Sequence, residues 1–423
     1  MPKNDQQIPA PAGRLTHRGV PVDHDLRMLA VATLVNTVGN GATMTAFALY
    51  FTHAVGIPAT QVGLALSVAA LAGLLVQVPV GHLADTRGPR ELLTRLMVLA
   101  GISTLGLLVT RDILVLCLVL AVQAVFDRGG SAVRSGLIAR LAEGGQAVAF
   151  KAYLRAVTNV GISVGALLGG LALAVDRTWA YLAVFCIDAL SFAVASLAVR
   201  RLPHVEPAPP RAEGAPRMQV LHDVPFVVVS VLTGLFAIHF FVMELAVPLW
   251  LATRTSAPKS LVAIVLLLNT VSVALFQVRL SRGATSVPSS ARALAVAGAW
   301  VLAGFGLIAF AGGRSAWVAG SLICVGALVH VVGEMVGSGG QWGLQMGLAP
   351  RERQGQYQGF AGMSFSLSAI VAPPLITVLC IDWGTPGWFV LGGIIATCGL
   401  LSVPAAGWAL RTRERYGVLS YTG

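Results

Sequence analysis

Residues 81–90, Gly81-His82-Leu83-Ala84-Asp85-Thr86-Arg87-Gly88-Pro89-Arg90, decide the fold. They separate two long apolar runs, one beginning near Thr60 and the other near Leu92. A membrane-spanning helix needs roughly 20 apolar residues, and both runs are long enough. The stretch between them is short and charged, as a tight turn between two membrane helices must be.

Composition agrees. The 423-residue chain is 56% hydrophobic and 11% charged, with a mean hydropathy of +0.78. Soluble domains carry about 25% charged residues, so this chain has too little polar surface to face water, and lipid is its solvent. The net charge of +11 does not mark a nucleic-acid binder, because the arginines sit singly or in pairs between apolar runs instead of forming a basic face. Cys117, Cys186, Cys324, Cys380 and Cys398 all lie inside apolar runs. Without metal-ligand spacing or an exposed position, they read as small buried apolar residues. No cofactor and no metal site is expected.

Twelve spans are expected, beginning near Arg27, Thr60, Leu92, Ile113, Phe150, Trp179, Val224, Leu261, Ala291, Trp317, Gln358 and Trp388. Residues 200–223 differ: Pro203, Pro207, Pro209, Pro210 and Pro216 stand among charges, which predicts a flexible linker. The expected organisation is a tail (1–25), a six-helix bundle (26–199), the linker (200–223), a second six-helix bundle (224–410) and a second tail (411–423). With both tails inside, only Arg111, Arg177, Arg254, Lys259 and Arg314 of the 29 Lys and Arg fall in outer loops. The positive-inside rule therefore predicts cytoplasmic termini and a multi-pass protein of the cell membrane.

The two halves echo each other. At an offset of 200, Pro58, Gln77 and Val78 meet Pro258, Gln277 and Val278. At an offset of 207, Gly130, Ser131 and Gly136 meet Gly337, Ser338 and Gly343. Gly81 and Asp85 fall on Ser281 and Thr285, so only the first half keeps the acid.

The turn at 81–90 resembles the loop signature of the major facilitator superfamily. Gly81, Asp85, Arg87, Gly88 and Arg90 fit that pattern, while Thr86 and Pro89 stand where the family is usually basic. The resemblance implies an all-α integral membrane fold of twelve helices in two pseudo-symmetric six-helix bundles. It implies alternating access, with helices 1, 4, 7 and 10 lining a central cavity. In the signature, Asp85 accepts hydrogen bonds from the start of helix 11, and Gly81, Arg87, Gly88 and Arg90 complete a cytoplasmic gate. Gly161, Gly165, Gly169 and Gly170 on helix 5 resemble the family's antiporter signature, with Ala166 in place of its Pro. Four-residue spacing also gives a flat face for close helix packing. Many drug exporters of the family carry an Arg three residues before a helix 4 Gln. Counted from Gln123, that position is Leu120.

Ionisable residues deep in a membrane helix cost at least a few kcal/mol and mark function. Asp127 and Glu334 are symmetry mates at the 207 offset and are the proton-coupling candidates, with Arg134. Positions i, i+4, i+7 and i+8 share a helix face. That face carries Gln123, Asp127, Ser131 and Arg134 on helix 4, and His330, Glu334, Ser338 and Gln341 on helix 10. Helix 1 adds Asn36 and Asn40, and helix 7 adds His239 and Glu244. The expected cavity lining is therefore Asn36, Asn40, Gln123, His239, Glu244, His330 and Gln341. The alternative is a structural ion pair, Asp127 or Glu334 held by Arg134 or Arg128.

No phosphate-binding glycine loop of the ATP-driven kind appears, and no nucleophile or metal cluster marks an enzyme. The expected activity is proton-coupled efflux of a small amphipathic drug-like or secondary-metabolite molecule, by a monomer in the bilayer with protons as coupling ion. Proton-coupled nutrient uptake is the alternative within transport. A receptor or membrane enzyme is the alternative outside it.

Overall fold

The computed structural model describes residues 15–17, 19–142, 146–209, 216 and 218–416. Twelve long helices fill these residues: α1 His24–Leu49, α2 Ala59–Arg87, α3 Pro89–Val109, α4 Ile113–Leu141, α5 Gln146–Val175 and α6 Thr178–Arg200. The second six are α7 Val224–Arg254, which is interrupted, α8 Leu261–Leu280, α9 Val287–Ala309, α10 Ala316–Leu348, α11 Gln354–Ile376 and α12 Thr385–Arg411. Eleven are long and apolar enough to cross a membrane. α1 is the less apolar one, carrying Asn36, Asn40 and several threonines. A two-residue antiparallel pair, β1 Thr16–His17 and β2 Val20–Pro21, precedes it.

Local chemistry sets the helix starts. Asp23, Asp112 and Asp223 accept hydrogen bonds from the first free amides of α1, α4 and α7, and Ser286 and Ser289 form a capping box on α9. The charged turn at 81–90 proves tighter than a loop. α2 continues to Arg87, Gly88 alone reverses the chain at φ +90°, and α3 starts at Pro89. Glycine tolerates this φ at little cost, and Pro at the first helical position loses no hydrogen bond.

Each half has its own core. In the second half Trp250 packs edge-on to Trp388 and donates to the Ile308 carbonyl at 3.1 Å. The first half has one cluster around Leu93, Leu137 and Phe150, and another around Tyr50, Phe51 and Phe185. Leu71 and Leu75 on α2, Leu167 and Leu171 on α5 and Leu267 and Leu275 on α8 stay exposed. Such leucines belong against lipid.

α1 packs on α5 and α6, α9 on α10 and α12; across the halves, α2 and α4 meet α11, while α5 meets α8 and α10. Gln219 bonds Tyr416, and Tyr153 bonds Gly19, so the linker and both chain ends share one side, called here the tail side.

The expected flexible linker is partly pinned. Arg90 donates to the Leu202 carbonyl at 2.7 Å, His204 pairs with Glu91 at 2.9 Å, and Arg140 bonds the Glu206 carbonyl. The Ala208 amide donates to the Asp85 carbonyl at 2.6 Å. Proline removes helix but leaves carbonyls free to accept, and neighbouring arginines reach them. Residues 210–215 and 217 lie outside the described residues.

Candidate functional site

α7 is helical to Phe236, turns, resumes over His239–Phe241, widens into a π-helical turn at Val242–Ala246 and continues from Val247. Pro248 has no N–H to offer the Glu244 carbonyl four residues back, so the regular ladder fails there. Breaks of this kind in membrane helices persist where they line a cavity or meet other helices. His239 and Glu244 sit in this break.

Glu334, midway along α10 and 3% exposed, is fully engaged. Its Oε1 accepts from Arg155 of α5 at 2.6 Å, and its Oε2 accepts from Asn269 Nδ2 of α8 at 2.9 Å. Arg155 belongs to the first half and Glu334 to the second, so this ion pair crosses the interface. Arg155 also lies over the Phe240 ring, 4.5 Å from its centroid, a cation–π contact. One turn before Glu334, His330 presents Nδ1 3.9 Å from Oε2, beyond hydrogen-bond range. His330 Nε2 lies 3.2 Å from His239 Nδ1. Both rings are fully buried. His239, His330, Glu334 and Arg155 thus lie in a row across the interface, with one gap of 3.9 Å between His330 and Glu334.

Spacing in sequence gave no metal cluster, but the fold brings ligand-type atoms of His239, His330 and Glu334 within 4.8 Å of one another. Both carboxylate oxygens are committed to Arg155 and Asn269, and the imidazoles bond each other, which leaves His239 Nε2 and His330 Nδ1 buried without a hydrogen-bond partner.

Beside the ion pair, between the halves, lies a cavity of about 230 Å³. Arg128 and Ser131 of α4, Lys151 and Arg155 of α5, and Gln77 of α2 line its first-half wall. Phe240, Gln341, Trp342, Gln358 and Phe365 line the other. Among the described residues the lining includes no carboxylate.

The expected site residues distribute unevenly. Gln341 lines the cavity and donates to the Thr233 carbonyl at 2.6 Å. His239 and His330 lie behind its wall beside Glu334. Glu244 is exposed on α7, near enough to feel the Glu334 and Arg155 charges. Gln123 turns away, donating to Thr104 Oγ1 of α3 at 2.8 Å, so its place in the lining is corrected: sharing a helix face with Asp127 did not give it the same neighbour. Asn36 is buried with its Nδ2 unpartnered, and Asn40 is half-buried; neither lines this cavity. Asp127 is half-buried and makes no ion pair within 4.0 Å among the described residues; Arg134 is its electrostatic neighbour. The alternative pairing of Glu334 with Arg134 or Arg128 gives way to Arg155.

At the tail side, Asp85 is 2% exposed and accepts from the Gly355 amide at 2.7 Å and the Gln356 amide at 2.9 Å, the free donors at the start of α11. A methyl group on Gly81 would strike the Gly355 carbonyl, so two bare backbones touch here. Arg87 is exposed, and Arg90 pairs with Glu91 at 2.6 Å. These two face the linker side and solvent, not the second half. Gly161, Gly165 and Gly169 seat α5 on α1, against Thr37, Val38 and Ala42; Gly170 has nothing within 4 Å.

Sequence reasoning missed Arg155, Asn269 and Lys151. Lys151 and Arg155 stand four apart on one helix, and that spacing was available as a signal.

The Major Facilitator Superfamily profile matches residues 29–342. No curated protein sequence matches. Similar solved structures include the human organic anion transporter MFSD10 (TETRAN), 14% identical, with a TM-score of 0.67 over 90% of this chain and 99% of that one. A bacterial homologue of the iron transporter ferroportin, in its outward-facing state, is 17% identical, with a TM-score of 0.68 over 92% and 99%. The E. coli fucose:proton symporter FucP is 13% identical, with a TM-score of 0.67 over 91% and 98%. At these identities the likeness is one of fold.

Proposed function

The chain belongs to the Major Facilitator Superfamily, and from that premise we propose that it carries small amphipathic molecules by proton-coupled alternating access, with Glu334 as the proton-carrying acid. It is a multi-pass membrane protein with the fold of a secondary transporter. The observation that supports proton coupling is the Glu334–Arg155 pair at 2.6 Å between the halves, with the Glu334 side chain buried and that of Arg155 26% exposed.

A buried pair is costly to break by removing one charge, about 3–5 kcal/mol. Protonating Glu334 removes its charge and frees Arg155 for the cavity. Charged groups facing Glu334 are Arg155 of α5 and Glu244 of α7, with the imidazoles of His330 and His239 behind it. A proton therefore changes both the tie between the halves and the charge offered to cargo. One charge crossing 100 mV is worth about 2.3 kcal/mol, enough for a roughly 50-fold concentration ratio. The Asp85 contact closes the tail side, which the positive-inside rule assigns to the cytoplasm of a cell-membrane protein, and the protein acts as a monomer.

Efflux of drug-like or secondary-metabolite cargo is the direction the α5 glycine spacing suggests, but those glycines have a packing duty that accounts for them. Uptake is favoured by the release of Arg155 on protonation. The test uses proteoliposomes loaded with a pH dye and challenged with ring-bearing acids, amides and amines. Wild type should move protons with cargo, and Glu334→Gln should carry cargo only downhill with no proton signal. Unchanged proton movement in Glu334→Gln would overturn this assignment.

A further inference from the structure

Four cations crowd the first-half side of the interface: Arg128, Arg134, Lys151 and Arg155. Among the described residues, only Arg155 of these four has a carboxylate within 4.0 Å. Arg128 and Lys151 line the cavity and, among the described residues, have neither an ion pair nor a hydrogen-bond partner. Lys151 is half-buried and Arg128 exposed, and Arg134 is near enough to repel Lys151. Unpaired ammonium and guanidinium groups at membrane depth are expensive, and like charges raise that cost. The nearest acids are spoken for or distant: Glu334 is bonded to Arg155, and Asp127 stands at longer range from Arg134. A bound anion would relieve the imbalance. The rest of the wall suits an apolar body, with Phe240 and Phe365 at 6.0 Å between ring centroids and Trp342 beside them. The volume, about 230 Å³, is below the roughly 300–1,000 Å³ of drug-sized pockets.

We propose that the cavity takes a small organic anion bearing an apolar or aromatic group, its acidic head held by Lys151, Arg128 and Arg155, and that it travels together with a proton. The second part rests on the proton-coupling reading above. Arg155 serves either Glu334 or the cargo. An anion that takes Arg155 leaves Glu334 without its counter-charge, and Glu334 then takes up a proton. Anion and proton thus favour each other's binding, as linkage requires in both directions, and both cross in the same direction. A cationic cargo would compete with the proton for Glu334 and give exchange instead. With an inward proton gradient, the charge of the lining therefore argues for uptake.

The test is thermal stabilisation of purified protein by matched ring compounds differing only in the head group: carboxylate, phosphate monoester, sulfonate, primary amide and amine, each at up to 10 mM. At least one anionic member should raise the melting temperature, with its amide and amine inactive. Lys151→Gln and Arg128→Gln should each weaken its binding by roughly 10- to 100-fold, the value of one charge-assisted bond. Lys151→Arg should retain it, which separates loss of charge from misfolding. Binding should be accompanied by proton uptake from a weakly buffered solution, abolished in Glu334→Gln. No stabilisation by any anionic member overturns the proposal, as does equal or better binding of an amide or amine. Anion binding that depends on Lys151 but takes up no proton would leave the anion site standing and remove the coupling reading. Proton release driven by an amine would do the reverse.

Discussion

Replacing Asp85 with Asn should unlatch the tail side. The carboxylate accepts two backbone hydrogen bonds, at 2.7 and 2.9 Å, from Gly355 and Gln356. Hydrogen bonds to a charged group are worth about 1.5–3 kcal/mol each. Asn keeps one acceptor oxygen but turns an NH₂ toward the second amide, so one bond is lost and two donors face each other. Loss of negative charge at a helix N-terminus adds about 0.3–1 kcal/mol. Against this, Asp85 must shed water to reach its buried position, and a neutral amide sheds it more cheaply. The net penalty on the latched conformation is about 2 kcal/mol, roughly a 30-fold shift in population at tenfold per 1.4 kcal/mol. The assay is pulsed electron spin resonance between labels at Thr86 and Glu352, both exposed, with the five native cysteines replaced. Asp85→Asn should add a population at longer distance. Gly355→Ala should do the same by another route, because its Cβ would stand 2.6 Å from Asp85 Oδ1. Distance distributions identical to the parent protein in both variants would refute the latch.

Two further outcomes are expected. Gly165→Val places a side chain where a Cβ already meets the Ala42 amide nitrogen at 2.8 Å; overpacking should cost about 1–3 kcal/mol and lower the melting temperature, and a variant as stable as the parent would show that α1 and α5 are not in close contact. At the start of α7, burial pushes the Asp223 carboxyl above its ordinary value of 3.8 while it accepts from the Phe226 amide and the Tyr357 hydroxyl. The folded state then binds that proton more tightly than the unfolded one, so this group's contribution to stability falls as pH rises from 3.8 through the raised value. Asp223→Asn mimics the protonated form, and its melting temperature relative to the parent should climb between pH 4 and pH 7; a constant difference would contradict this.

Much of the fold was legible because lipid imposes a simple pattern. Each apolar run long enough to span became a helix, and the expected starts at Thr60, Ile113, Val224 and Leu261 lie within one residue of the observed ones. Depth made Glu334 legible, since a lone acid in an apolar run needs a partner. Its partner was not legible. Starting α5 near Phe150 counts Lys151 and Arg155 among the charges at the tail-side end, whereas α5 begins at Gln146 and carries both inward to the cavity. Gln123 shows the limit of face counting: a shared stripe says which residues point together, but Thr104 of α3 decided where that end of α4 points. Among the described residues of the linker beyond the end of α6 the helical content is one 3-10 turn at Gln219–Leu221, and composition could not show that Arg90 and Arg140 would hold its carbonyls.

Asp85 does two jobs with two different atoms. Its side chain holds the start of α11, and its main-chain carbonyl holds Ala208 of the linker at 2.6 Å. The tether between the halves is thus fastened to the same residue that clamps them. The strap's other ties, Leu202 to Arg90, His204 to Glu91 and Glu206 to Arg140, are also to the first half, so residues 202–208 would travel with α2 when it parts from α11.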